Sequence, residues 1–197
     1  MVRLMSSQGG PRELSDPGAL KALGHPLRQQ ILRRLHRDGP ATATSLAAVL
    51  GENTGATSYH LRRLAEHGFV EEVPERAAGR QRWWQARPQD LRFLPRSAMS
   101  EDARAALDRL GQISAAEDDA ALARFHAGRD SMGPWGDALL FSRGALRLTR
   151  DELVGFWEEY LALLLRYRRD DPTDGDNPAP PDAHRVLIRF LAFPDVD

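Results

Sequence analysis

Apolar residues recur along the first half of the chain at intervals of three and four, the spacing of one helical face. In PLRQQILRRLHRD, at 26–38, Leu27, Ile31, Leu32 and Leu35 form an inward stripe, while Arg28, Arg33, Arg34 and Arg37 face away. Upstream, Ser15 or Asp16 followed by Pro17 is a helix start, and Gly24 ends that short helix. Downstream, Leu46, Ala47 and Leu50 mark a third helix, which Gly51-Glu52-Asn53 interrupts, and Asn53 or Thr54 is placed to cap a fourth. In that fourth helix Thr57, Leu61 and Leu64 share one face. Gly55, Tyr59, Arg62 and Glu66 share the other, with Ser58 and Arg63 at its flanks. After Gly68 the period changes to two, so 69–73 reads as a strand, 74–79 as a loop and 80–86 as a returning strand. Alternation lets one of its two tryptophans face the core, and Trp84 is expected there.

Two readings fit 42–67. One is a helix-turn-helix, whose second helix lies in the DNA major groove and presents hydroxyls, an aromatic and arginines to it. The other is a helical hairpin with a solvated face. A β-hairpin directly after a helix-turn-helix is the wing of a winged helix, and Arg76, Arg80 and Arg82 would then reach phosphates or the adjacent minor groove. A solvated hairpin tip is the plainer account of those arginines.

Beyond the wing, 91–95 reads as a short linker ending at a proline. Ser100, Glu101 and Asp102 start a long helix with acids at its positive end. Its stripe of Leu107, Leu110 and Ile113 resumes, after acids at 117–119, with Ala121, Leu122 and Phe125. About 25 residues would give a helix ~38 Å long. A loop at 128–136 precedes a tight β-hairpin, 138–142 and 145–148 about Arg143-Gly144. Thr149-Arg150-Asp151-Glu152 is a capping box, opening a helix to about 168 with Leu153, Trp157, Tyr160, Leu161 and Leu164 on one side. A flexible proline- and aspartate-rich loop at 170–183 leads to an apolar strand at 186–193, expected to pair with the hairpin over that helix. Trp135, Phe141, Phe156, Trp157 and Tyr160 are candidate walls of an organic-ligand pocket, with ordinary core as the competing reading.

The expected class is therefore α+β, mostly α. A disordered 1–14 leads into a winged helix-turn-helix at 15–96, then a long connecting or dimerisation helix at 97–127. A small hairpin–helix–strand unit at 128–197 serves effector binding or dimerisation.

Composition sharpens this picture. The net charge of −1 conceals an asymmetry. Residues 20–96 hold thirteen Lys or Arg against seven Asp or Glu, a net of +6, and from 97 on the count is twelve against nineteen, a net of −7. A basic half joined to an acidic half fits a nucleic-acid module carrying a partner or sensor module. Lys21 is the one lysine, so an arginine at a given position says little about choice of its planar fork. The absence of cysteine removes disulfides and thiolate metal sites. Histidines at 25, 36, 60, 67, 126 and 184 show no paired-ligand spacing, and His126 near Glu117, Asp118 and Asp119 is a remote candidate. No apolar run approaches a membrane span, and MVRLMSSQGGPRELS lacks the core of a signal peptide, so a cytoplasmic location is expected. No phosphate loop, nucleophile elbow or HExxH is present, so no enzyme and no cofactor is expected.

Two segments carry a more specific likeness. LGHPLRQQIL at 23–32 resembles the opening signature of the ArsR-type winged-helix regulators, and TSYHLRRLAEHGFV at 57–70 resembles their recognition helix entering the wing. The resemblance spans about 20–86. It implies a transcriptional regulator, a homodimeric repressor by expectation, on an inverted repeat of double-stranded DNA. Ser58 and Tyr59 would face the groove, Thr54 and Gly55 would sit at the helix start, and Arg62 and Arg63 would run along it. His60 would touch DNA or pack beneath. The long helix would pair with the partner's equivalent. Where the family's thiolate sensors place cysteines this chain has Ala43-Thr44-Ser45-Leu46-Ala47, which argues against metal sensing. A small organic effector acting through the second half is the expected signal. A protein-docking module and a metal-responsive regulator are the alternatives.

Overall fold

A computed structural model of the chain describes residues 12–76, 81–87, 89, 91–167, 180 and 182–195, and divides it into two compact units, Met1–His126 and Ala127–Asp197. In the first unit, strand β1 (Arg12–Leu14) leads to helices α1 (Pro17–Leu23) and α2 (Pro26–Asp38), then to the two-residue strand β2 (Ala41–Thr42). Helix α3 (Ala43–Leu50) and helix α4 (Thr54–Glu66) follow, with strands β3 (Val70–Glu72), β4 (Trp83–Ala86) and β5 (Leu91–Phe93) after them. Helix α5 (Glu101–Gly128) closes the unit.

Each boundary has a local cause. Asp16 caps α1, accepting from the backbone N–H of Gly18 and Ala19 at 2.9 and 3.0 Å, and Pro17 supplies the pre-set φ of the first helical position. Thr42 and Ser45 form a reciprocal capping box at the start of α3. Gly51, at φ 69°, ends α3 in the left-handed region, which glycine enters without strain. Two residues later Asn53 caps α4 by accepting from Ala56 N–H at 2.7 Å. The three residues between the helices therefore serve as stop, turn and start.

The core unites Leu20 and Leu23 of α1 with Ile31, Leu32 and Leu35 of α2, Leu46 of α3 and Leu61 and Leu64 of α4. Phe69, Val70 and Trp84 add the sheet, ordered β2-β4-β3 and antiparallel throughout. Trp84 is the inward tryptophan, as its place in the alternation predicts. Thr57 is fully buried among these apolar residues because its hydroxyl donates to Asn53 O at 2.8 Å, leaving no polar atom unpaired.

Residues 12–14 and 91–93 depart from expectation. Neither is a disordered start or a linker: β1 and β5 pair in parallel, with Arg12, Glu13 and Leu14 opposite Leu91, Arg92 and Phe93. Leu14, Leu91 and Phe93 turn into the core, which is what fixes so short a pair. The 28-residue α5 runs unbroken through the acids at 117–119, ~42 Å long. Its first turns bury Ala103, Ala106 and Leu110, and Gly24 lets them approach: a Cβ there would stand 3.3 Å from Ala106 O. Lys21–Asp102 at 2.6 Å and the Arg33–Glu117 pair extend the attachment.

In the second unit, short 3-10 turns at Arg129–Ser131 and Gly133–Asp137 precede helix α6 (Arg150–Tyr167). The expected capping box is present: Thr149 Oγ1 accepts from Glu152 N–H at 3.2 Å, and the carboxylate accepts from Thr149 N–H at 2.7 Å. The hairpin at 138–148 and the strand at 186–193 are not: neither segment carries a strand. Apolar alternation makes a strand only where a neighbour completes the ladder, and an isolated pair is marginal in water. Most side chains of both segments are exposed.

Leu61 is completely buried at the centre of the first unit. Leu61→Ala should cost about 2–5 kcal/mol, read as a lowered urea midpoint at unchanged m-value.

Candidate nucleic-acid interface

The buried stripe Thr57, Leu61 and Leu64 faces α4 toward the core, so helical spacing alone turns Tyr59 and Arg62 outward. Tyr59 is half exposed, and Arg62, Thr54 and Gly55 are exposed. Ser58 is partly sheltered, at the wall of a concavity of about 430 Å³. Thr54, Ser58 and Arg62 form one side of that hollow, and Gln81, Arg82 and Trp84 of the wing form another. Thr42, Ala43 and Thr44 complete it from the start of α3. Hydroxyls, two guanidiniums and a helix start thus converge on one recess, chemistry suited to an anion. Thr42, Thr44 and Gln81 escaped the sequence reading. The Thr42 capping box was the available signal, because it announces a helix N-terminus beside the recognition helix.

The other arginines are not equivalent. Arg82 pairs with Glu72 at 3.0 Å across the wing, and Arg63 pairs with Glu66 one turn along α4. Arg76 lies over the Trp83 ring at 5.9 Å, so the ring braces it at the base of the wing. Arg80 lies outside the described residues. Arg62 donates from Nε to Ser58 O at 3.3 Å, which leaves its terminal nitrogens free of that bond.

His60 is half-buried on α4. Its ring lies 4.4 Å from the His25 ring and meets the Tyr59 ring edge-on at 5.1 Å. Arg28 donates to His60 Nδ1 at 3.3 Å and also to the carbonyls of Lys21 and Ala22 at the end of α1. Nδ1 must therefore be unprotonated, with the ring proton on Nε2. Burial, together with the charges of His25 and Arg28, pushes the His60 imidazole down to about 4. Burial lowers His25 as well.

The five aromatic residues predicted as ligand walls do not form one wall. Phe156, Trp157 and Tyr160 gather around Phe190, with Tyr160 and Phe190 stacked 4.5 Å apart. Trp135 packs instead on His184 at 4.6 Å, and Phe141 is 89% exposed, outside both groups. The neighbour that sequence reasoning missed is Phe190, whose expected strand did not form. Among the described residues no group of three or more His, Cys, Asp or Glu could hold a metal ion, and no helix is long and apolar enough to cross a membrane.

Residues 23–73 match a family model described as "Helix-turn-helix domain". Reduced HlyU from Vibrio cholerae is a similar solved structure: 23% identity, 49% of this chain and 84% of that one covered, TM-score 0.31. The transcriptional regulator Tm0710 from Thermotoga maritima is similar at 12% identity, over 75% of this chain and 87% of that one, TM-score 0.30. RV1404 from Mycobacterium tuberculosis gives 13% identity over 81% and 84%, TM-score 0.30. No curated protein matches the chain.

Because the folded state lowers the His60 pKa, the unfolded chain binds the extra proton first. The stabilisation is complete above about pH 6.5 and is lost as pH falls from there toward 4. His60→Gln should flatten the pH dependence of thermal unfolding over that window, measured by circular dichroism.

Proposed function

We propose that this chain, whose residues 23–73 belong to the helix-turn-helix domain family, is a dimeric transcriptional repressor that reads an inverted repeat in double-stranded DNA. The carrying observation is the outward face of α4, Tyr59 and Arg62 beside Ser58, set against a wing arginine across an open recess. In this reading α4 enters the major groove. Tyr59 and Ser58 meet base edges, while Arg62, Arg82 and the start of α3 meet phosphates. Thr54 and Gly55 border the groove, and Arg63, Arg76 and Arg80 add positive charge along α4 and the wing.

His60 acts through Tyr59 and through the Arg28 clasp on α1 rather than by touching a base. The net +6 over 20–96 supports steering toward a polyanion. The dimer works as a cytoplasmic regulator, with α5 as the connecting helix and the second unit receiving a signal, an organic effector by class. Such a signal requires different affinity for the two dimer states.

Gel-shift or anisotropy titration against the chain's own upstream DNA tests this. Each substitution removes one phosphate contact from both protomers of the dimer, so Arg62→Ala and Arg82→Ala should each make the slope of log K against log salt shallower by about 2. Tyr59→Ala should weaken discrimination between the operator and scrambled DNA by about 1–3 kcal/mol. Salt-insensitive binding, unmoved by all three substitutions, would refute the assignment.

A further inference from the structure

One guanidinium joins three helices. Arg28 sits in the first turn of α2, yet its Nε and Nη2 both reach the last turn of α1, donating to Ala22 O and, at 2.7 Å, to Lys21 O. Those two bonds alone would cap α1, since a cationic side chain near a helix C-terminus satisfies its last carbonyls. The remaining nitrogen goes elsewhere. Nη1 donates to His60 Nδ1 at 3.3 Å, in the middle of α4 and 32 positions along the chain. The His60 ring in turn meets the Tyr59 ring edge-on, 5.1 Å between centroids. Tyr59 is 51% exposed, so the part of it out of water rests on neighbours, and His60 is one of them. Burial lowers the Arg28 guanidinium from its ordinary value, with Tyr59 opposing that shift and Arg63 adding to it, so the cation is felt along the recognition helix.

We propose that Arg28 is a positioning residue for DNA reading: through His60 it holds the Tyr59 ring in the attitude that meets a base, so operator selectivity depends on an arginine that does not touch DNA. The inference rests on the recognition role proposed for α4 and adds what sets its selectivity. Two plainer accounts fit the geometry less well. A helix cap needs the two carbonyl bonds and leaves the third, to His60, without a purpose. A phosphate contact needs a guanidinium turned outward, whereas Nε, Nη1 and Nη2 are each engaged within the protein. The χ2 torsion of an imidazole is otherwise broad, and a directional bond at Nδ1 narrows it. A tyrosine resting on a fixed ring has fewer attitudes to give up in the groove, where each immobilised side chain carries an ordering cost. The planar fork is what spans the three helices. A lysine would keep the charge on a flexible stem and lose the fork.

Arg28→Lys in the full chain tests the role, titrated against operator and scrambled duplexes side by side. Operator affinity should fall about tenfold, a few-fold from each half-site, while affinity for scrambled DNA moves by no more than about twofold and the salt slope stays put. In a Tyr59→Ala background the same substitution should cost no further operator affinity, because its effect passes through that ring. His60→Phe keeps a ring beside Tyr59 and removes the acceptor. It should reproduce the loss, and combining it with Arg28→Lys should add nothing. Nitrogen NMR of the free chain gives a readout that a mere cap would not move. His60 should show a bare Nδ1 and a protonated Nε2 near neutral pH, and Arg28→Lys should shift the Nδ1 resonance. Equal losses on both duplexes, a loss undiminished by Tyr59→Ala, or an unshifted His60 resonance would overturn the positioning role and leave recognition by α4 standing. A wild type blind to operator sequence, its His60 resonance still tied to Arg28, would overturn the recognition role and the positioning with it.

Discussion

Thr57, Leu61 and Leu64 are wholly removed from solvent, and α4 packs on α1, α2, α3 and β3 at once. A helix gripped on so many sides cannot turn about its axis. One residue of helix is about 100° of rotation, so a slip by a single position would carry a buried leucine toward water and swing Tyr59 away from the open side. The direction of the recognition face is therefore settled by apolar packing at its back, not by any polar group on it. The buried Thr57 hydroxyl fits the same logic. Bonded to Asn53 O, it adds no polar cost, and it ties the inward stripe to the residue that caps the helix.

The positive half of the chain is less free than its net charge suggests. Arg28 is spent on the end of α1 and on His60, and Arg33 on Glu117. Those contacts hold α1, α2 and α5 to their neighbours. The Arg82–Glu72 and Arg63–Glu66 pairs are different, being exposed. Exposed pairs contribute about 0–1 kcal/mol, so a phosphate competes with the carboxylate at little cost. The acid meanwhile keeps the side chain from wandering. Arginines around the recess are thus pre-positioned, while those behind it are structural, and a count of basic residues alone mixes the two kinds.

That division also explains what the sequence made legible. The helices from 17 to 66, the caps of α1 and α4 and the Trp84 orientation could be read because period, cap and turn residues all act within a few positions. The β1–β5 pair joins residues almost eighty positions apart through three residues each, and no local pattern announces it. The recess was half legible: Ser58 and Arg62 lie on one helix face, but Thr42 and Gln81 join them only through tertiary folding. For His60 the sequence left two places open, touching DNA or packing beneath, since its environment comes from His25 and Arg28 on another stretch of chain. At 138–148 and 186–193 the pattern reads as strand, and neither segment forms one.

Among the described residues, the buried apolar side chains come almost entirely from the first unit, with Leu161 the contribution of the second. Fixing each backbone residue costs roughly 1–2 kcal/mol of conformational entropy, and one buried leucine offsets little of that. The ring cluster around Phe190 helps, yet it spans few residues. Apolar surface brought by another molecule would therefore add most to 138–148 and 186–193, whose side chains are mostly exposed. A unit whose order depends on what it binds is well suited to report binding, because the ligand supplies the free energy of ordering only while it is present. The first unit, which owns its core, has no such dependence. The sensing role proposed for the second half thus rests on the same deficit of burial that leaves its leucines in water.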